Sequence, residues 1–89
     1  MGLLGKIKIE KLKETVVKGF EKDFKIVITQ FKASYKGVGV YKIYSELKYN
    51  GELFDIIDFH ITYNRKKSER YFHMLETRYS EEKLKRKRF

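Results

Sequence analysis

The chain has 89 residues, and 21 basic against 12 acidic side chains leave a net charge of +9. With no cysteine, disulfides, thiolate-bound zinc and thiol nucleophiles are excluded, and two histidines without clustered carboxylates carry no metal signature. No apolar run reaches the roughly 20 residues of a membrane span, and Met1-Gly2-Leu3-Leu4-Gly5 is too short for a signal-peptide core. A single domain in the cytoplasm, without cofactor or small-molecule substrate, is the expectation. The charge is unevenly placed: residues 61–89 hold ten basic residues against four acids, including all five arginines. A basic end on a neutral body suggests an anionic partner.

Lys6 to about Lys22 predicts an amphipathic helix. Ile9, Leu12, Val16 and Phe20 recur at helical spacing, Val17 widens the stripe, and Lys8, Lys11, Lys18 and Lys22 take the other faces. From Phe24 the period becomes alternating: Phe24, Ile26 and Ile28 against Lys25, Val27 and Thr29. This predicts a strand over Phe24–Lys32 and a first turn over Ala33–Gly37.

Val38–Tyr49 and Glu52–Asn64 read as two long strands flanking Asn50-Gly51, a strong hairpin signal. A two-residue loop pairs Tyr49 with Glu52 and sets the apolar sets of the two strands on opposite faces. A three-residue loop, Tyr49-Asn50-Gly51, aligns Leu47 with Leu53, Ile43 with Ile57 and Tyr41 with Phe59, and sets Lys42 opposite Asp58. Since a one-residue slip reverses every side chain, the three-residue register is expected. Gly39 then faces Ile61 on the core side, with room for a helix to approach. The other face carries Val40, Tyr44, Phe54, Ile56 and His60.

Ser68 reads as the N-cap of a last helix, with Glu69 in its first turn. Phe72, Leu75 and Tyr79 form its apolar stripe, widened by Tyr71 and Met74, and the packed part ends near Ser80. The expected fold is therefore α+β, in the order helix, strand, strand, strand, helix. A three-stranded antiparallel meander packs with two helices over residues 1–82, and residues 83–89 form a basic tail.

Two basic clusters follow from this layout. Lys83, Lys85, Arg86, Lys87 and Arg88 lie at a helix C-terminus, where cations are favoured anyway by about 0.3–1 kcal/mol. Arg65-Lys66-Lys67, with Arg70 one turn on, precedes a helix, where the backbone dipole disfavours cations unless an anion is bound. A strand, a basic turn and a helix in this order are similar to the build of the double-stranded-RNA-binding domain, whose last helix touches phosphates with its first lysines. Arg65-Lys66-Lys67-Ser68 lacks that domain's glycine-rich lead-in, and Tyr71-Phe72-His73-Met74 replaces its alanine-rich helix, so the likeness is one of architecture.

Tyr35, Tyr41, Tyr44, Tyr49 and Tyr63 lie on or beside the sheet, where exposed rings next to lysines can stack on unpaired bases. For Tyr41 a core position and for Tyr44 a cross-strand pair are the stronger readings. Catalysis is not expected. No triad order, phosphate loop or paired-carboxylate motif is present, and the odd spacing of Asp55 and Asp58 sets them on opposite faces. His60, Tyr63, Arg65 and Tyr71 resemble the residue set of small basic ribonuclease toxins of the RelE kind, but the opening strand of that kind is missing from the expected fold.

The leading expectation is binding of the DNA or RNA phosphate backbone without strong sequence readout, through Arg65, Lys66, Lys67 and Arg70, with the Lys83–Arg88 tail adding diffuse attraction. The alternative is a protein–protein module, an inhibitor or adaptor from a virus or mobile element. It would act through Val40, Tyr44, Phe54 and Ile56, alone or as a homodimer.

Overall fold

The computed structural model describes residues 7–17 and 23–80. Among these residues four strands, β1 (Lys8–Val17), β2 (Phe24–Tyr35), β3 (Val38–Tyr49) and β4 (Glu52–Thr62), form one antiparallel sheet in the order β1-β2-β3-β4, and one helix, α1 (Arg65–Arg78), follows. The class is α+β, but the expected first helix is a strand and the meander has four strands. Phe20, the last member of the proposed helical stripe, lies outside the described residues.

A bulge explains the false helical signal. Ile9 and Val16 are seven apart, so a regular strand would set them on opposite faces. The register of β1 against β2 slips between Lys11 and Lys13, which inserts one extra residue. Ile9 then pairs with Ala33 and Val16 with Val27, and both lie on the same face. The sheet also needs this strand. Ile26, Val27, Ile28, Thr29 and Gln30 are all buried, as the side chains of an inner strand with a neighbour on each side are.

Both β2–β3 and β3–β4 are two-residue hairpins. Lys36 and Gly37, and again Asn50 and Gly51, take positive φ at both central positions, the backbone that matches strand twist. The first turn is thus Lys36-Gly37, with β2 running on to Tyr35 rather than stopping at Lys32. The second is the two-residue loop, with Tyr49 opposite Glu52. The expected three-residue register is overturned. Two further bulges, between Leu47 and Lys48 and between Ser45 and Glu46, bring Ile43 opposite His60, Tyr44 opposite Phe59 and Lys42 opposite Ile61.

The consequence is that β4 is turned over relative to expectation. Ile28, Tyr41 and Ile43 join Val17, Ile26, Phe72 and Leu75 in the core under α1, flanked by Leu47, Ile57, Tyr71 and Tyr79. Asp58 and His60 share that helix-covered face, while Ile56, Phe59 and Ile61 point away from it and are 48%, 51% and 56% exposed. Gly39 does not receive a helix, and it lies opposite Ser34, not Ile61. The Lys32 side chain fills the space above it, with Cε 3.0 Å from where a Cβ would stand and Nζ over the Tyr41 ring.

Candidate nucleic-acid interface

Helix α1 packs by Ser68, Phe72 and Leu75, spaced four and three residues apart and all buried. Ser68 is not the cap. Asn64 is, with extended backbone and a side-chain oxygen that accepts from the Lys67 amide at 3.0 Å. Ser68 instead sits one turn in, fully buried, where its hydroxyl accepts from the Gln30 side-chain amide of β2. Moving the start forward places Arg65, Lys66 and Lys67 within the first helical turn, which contains no acid.

These three and Arg70 are exposed. Lys66 and Arg70 are four residues apart and Lys67 and Arg70 three, so they form one stripe on the outer helix face. Exposed His73 continues it. The amides of Arg65 and Lys66 make no hydrogen bond among the described residues, as the first turn of a helix requires unless a ligand supplies the acceptor. An open hollow beside the stripe is lined by Lys67, Glu69, Arg70, Tyr71, His73 and Met74.

The acids of α1 reach towards β1, although Glu76 also lies 4.0 Å from His73. Glu69 takes an ion pair from Lys13 of β1 at 2.9 Å, and Glu76 accepts from the Thr15 hydroxyl at 2.9 Å. The Lys13 hydrogen bond, then its charge, hold the Glu69 carboxyl below its ordinary range, and Arg65 adds to this. On the opposite flank Arg78 pairs with Asp58 at 2.9 Å, and Asp58 also accepts from the Tyr79 hydroxyl. Burial, then this bond to Asp58, push the Tyr79 phenol up to about 12. Carboxylates are thus drawn to the helix–sheet seam while Arg65, Lys66, Lys67 and Arg70 make no ion pair among the described residues.

Of the other expected site residues, Lys83, Lys85, Arg86, Lys87 and Arg88 lie outside the described residues. Val40, Tyr44 and Ile56 do share the sheet face away from the helix. Phe54 does not join them: left unpaired by the first β4 bulge, it packs edge-on against Phe24, 6.0 Å between centroids, near Tyr49. His60 also leaves that face and stacks flat on Tyr71, 4.5 Å between centroids. Phe59 and Ile61 take the places that Phe54 and His60 were expected to fill. The Asn50-Gly51 pair was the signal for them, since its two-residue register carries them to this face.

The tyrosine readings divide in the same way. Tyr41 is buried, and half-buried Tyr44 stacks on Phe31 with centroids 6.0 Å apart and lies under Lys42. An opening strand is present after all. The RelE-like set nevertheless does not converge, because Tyr63 lies with Ala33 and Val40 on the far face of the sheet from His60 and Tyr71. Asp55 and Asp58 share a face because of the bulge at Ile57, contrary to expectation. They are not a dyad: Asp58 is held by Arg78 and Tyr79, and Asp55 accepts from the Ile56 amide.

Among the described residues there is no cluster of metal-ligating side chains and no helix long and apolar enough to cross a membrane. No protein family, curated protein or solved structure matches this chain.

Proposed function

We propose that this protein binds the phosphate backbone of DNA or RNA in the cytoplasm through the outer face of α1. The observation that carries this reading is the first helical turn, which holds Arg65, Lys66 and Lys67 and no acid. Like charges there oppose the helix dipole, by a few tenths to about 1 kcal/mol each. A phosphate oxygen at that end reverses the sign, because amides, dipole and cations all favour it. Arg70 extends the contact along the helix, and the Lys83–Arg88 run adds diffuse attraction in proportion to its charge.

Nothing on the stripe is shaped to read base edges, so the binding is positioning without strong sequence readout. Titrating double- and single-stranded DNA and RNA at two salt concentrations tests this. Binding that weakens steeply with salt and varies little with sequence supports it. No binding at low salt contradicts it.

A further inference from the structure

We infer that the sheet face away from α1 is the interface of a homodimer, in which two copies pack sheet against sheet with their helices outermost. This does not depend on the nucleic-acid reading.

The first ground is the pattern of β4. In a sheet with one covered face, the apolar half of each strand turns towards the cover. β4 does the reverse: polar Asp58 and His60 face the helix, while Ile56, Phe59 and Ile61 face outward beside half-buried Val40, Tyr44 and Phe31. On the other edge strand Ile9 and Val16 point the same way and are 71% and 45% exposed. An apolar hollow bounded by Ile7, Val38 and Tyr63 continues the patch past the strand ends. Scattered surface apolar residues are ordinary, but a contiguous patch that spans two edge strands is not.

The second ground is size. The shortest Cα extent is 15 Å, that of one helix layer on one sheet, and the radius of gyration is 15.0 Å against about 12 Å for a compact chain of this length. Four strands of about ten residues present a face of roughly 650 Å², and pairing two such faces buries about 1,300 Å², inside the roughly 1,200–2,000 Å² of stable specific interfaces.

The third ground selects a second copy over other occupants. Lys11, Lys25, Lys42 and Lys48 lie on this face with Glu14 and Glu46; the rows of the two acids run between the Lys25–Lys48 row and the Lys11–Lys42 row, and Glu14 pairs with Lys11 of its own chain at 3.1 Å. A two-fold axis across the strands, set between the Glu14 and Lys11 rows, lays each Lys11–Glu14 pair over its mate's with the charges reversed and Phe59 over the mate's Ile61, the self-complementarity that such symmetry demands. Sheets packed this way cross at about −30° and stand about 10 Å apart, which leaves both basic helix stripes on the outer surfaces.

Sedimentation equilibrium of the full chain without nucleic acid tests the inference. A dimer is expected, with Ile61→Lys and Phe59→Ser each weakening it at least about tenfold while circular dichroism shows folded protein. Glu14→Lys should weaken the dimer, and adding Lys11→Glu should restore it, a test on exposed side chains that holds if the β4 variants fail to fold. A wild-type monomer at concentrations of about 100 μM overturns the inference. So does a dimer indifferent to both the β4 and the charge-swap variants, or a monomer that loses single-stranded nucleic-acid binding on Phe59→Ser.

Discussion

Lys13 Nζ lies 2.9 Å from the Glu69 carboxylate and 5.6 Å from the centroid of Phe72, so one side chain of β1 clasps both the acid and the buried ring of the helix. This contact leaves the outer face of α1 to its cations, because it draws the acid nearest the helix start towards Lys13 and neutralises it there.

Glu69→Gln therefore has two expected effects. The carboxyl's pKa is depressed in the folded state, so its contribution to stability is present above the unfolded pKa and is lost as pH falls through the folded one. Urea melts of wild type and Glu69→Gln should differ at neutral pH and converge in acid. The same change leaves one more net positive charge beside Arg65 and Arg70, so nucleic-acid affinity at low salt should rise.

The Gln30–Ser68 contact ties β2 to the helix inside the core, where both residues are 1% exposed or less and Gln30 Oε1 has no partner in the protein. Ser68→Ala leaves the amide unpaired and should cost about 1–3 kcal/mol. Gln30→Leu with Ser68→Ala removes both groups and should recover most of it. A double-mutant cycle by denaturant melts checks the coupling. Additive costs would show that the two groups do not interact.

Ser45 and Ile43 are equally buried on the helix side of β3, with opposite expectations. Ser45 Oγ has no hydrogen-bond partner in the protein, so Ser45→Ala should be neutral or stabilising. Ile43→Ala opens a cavity beneath Leu75 and Phe72 and should destabilise by about 2–5 kcal/mol. Thermal melts of the two variants read this directly.

Tyr79 gives an alkaline signature. Its phenol is raised to about 12 from 10.0, so its contribution to stability is full below the unfolded pKa and is lost as pH rises through the folded one. Tyr79→Phe should be less stable than wild type at neutral pH through loss of the Asp58 bond. The gap should narrow from about pH 10 upwards. A gap that widens there would place the phenolate, not the phenol, in the favoured state.

How far the sequence showed this fold follows from where its bulges fall. The helix stripe of Phe72, Leu75 and Tyr79 and the alternation of Phe24 to Ile28 each obey one period over their length, and the structure keeps both; the Asn50-Gly51 hairpin keeps its place but closes with two residues in place of the expected three. β1 and β4 each hide an inserted residue. In β1 the insertion made a strand look helical, and in β4 two insertions, at Phe54 and Ile57, undid an argument that assumed strict alternation. Periodicity cannot place a residue that takes no part in the ladder.

The site was partly legible for a different reason. Arg65-Lys66-Lys67 needs only proximity to a helix start, which survives an error of one turn in the cap. The pairing of Glu69 and Glu76 with β1 was hidden, because the partners Lys13 and Thr15 lie 56 and 61 residues away in a segment read as helix.

The central claim is that the outer stripe of α1 holds phosphate. The direct measurement is the salt dependence of duplex binding by wild type and by a Lys66→Ala, Lys67→Ala, Arg70→Ala triple variant, with circular dichroism as the check on folding. Each lost phosphate contact should flatten the slope of log affinity against log salt by about 0.9 for DNA, so three should flatten it by roughly 2.7 and weaken binding alike across sequences. An unchanged slope in a folded variant would contradict the account.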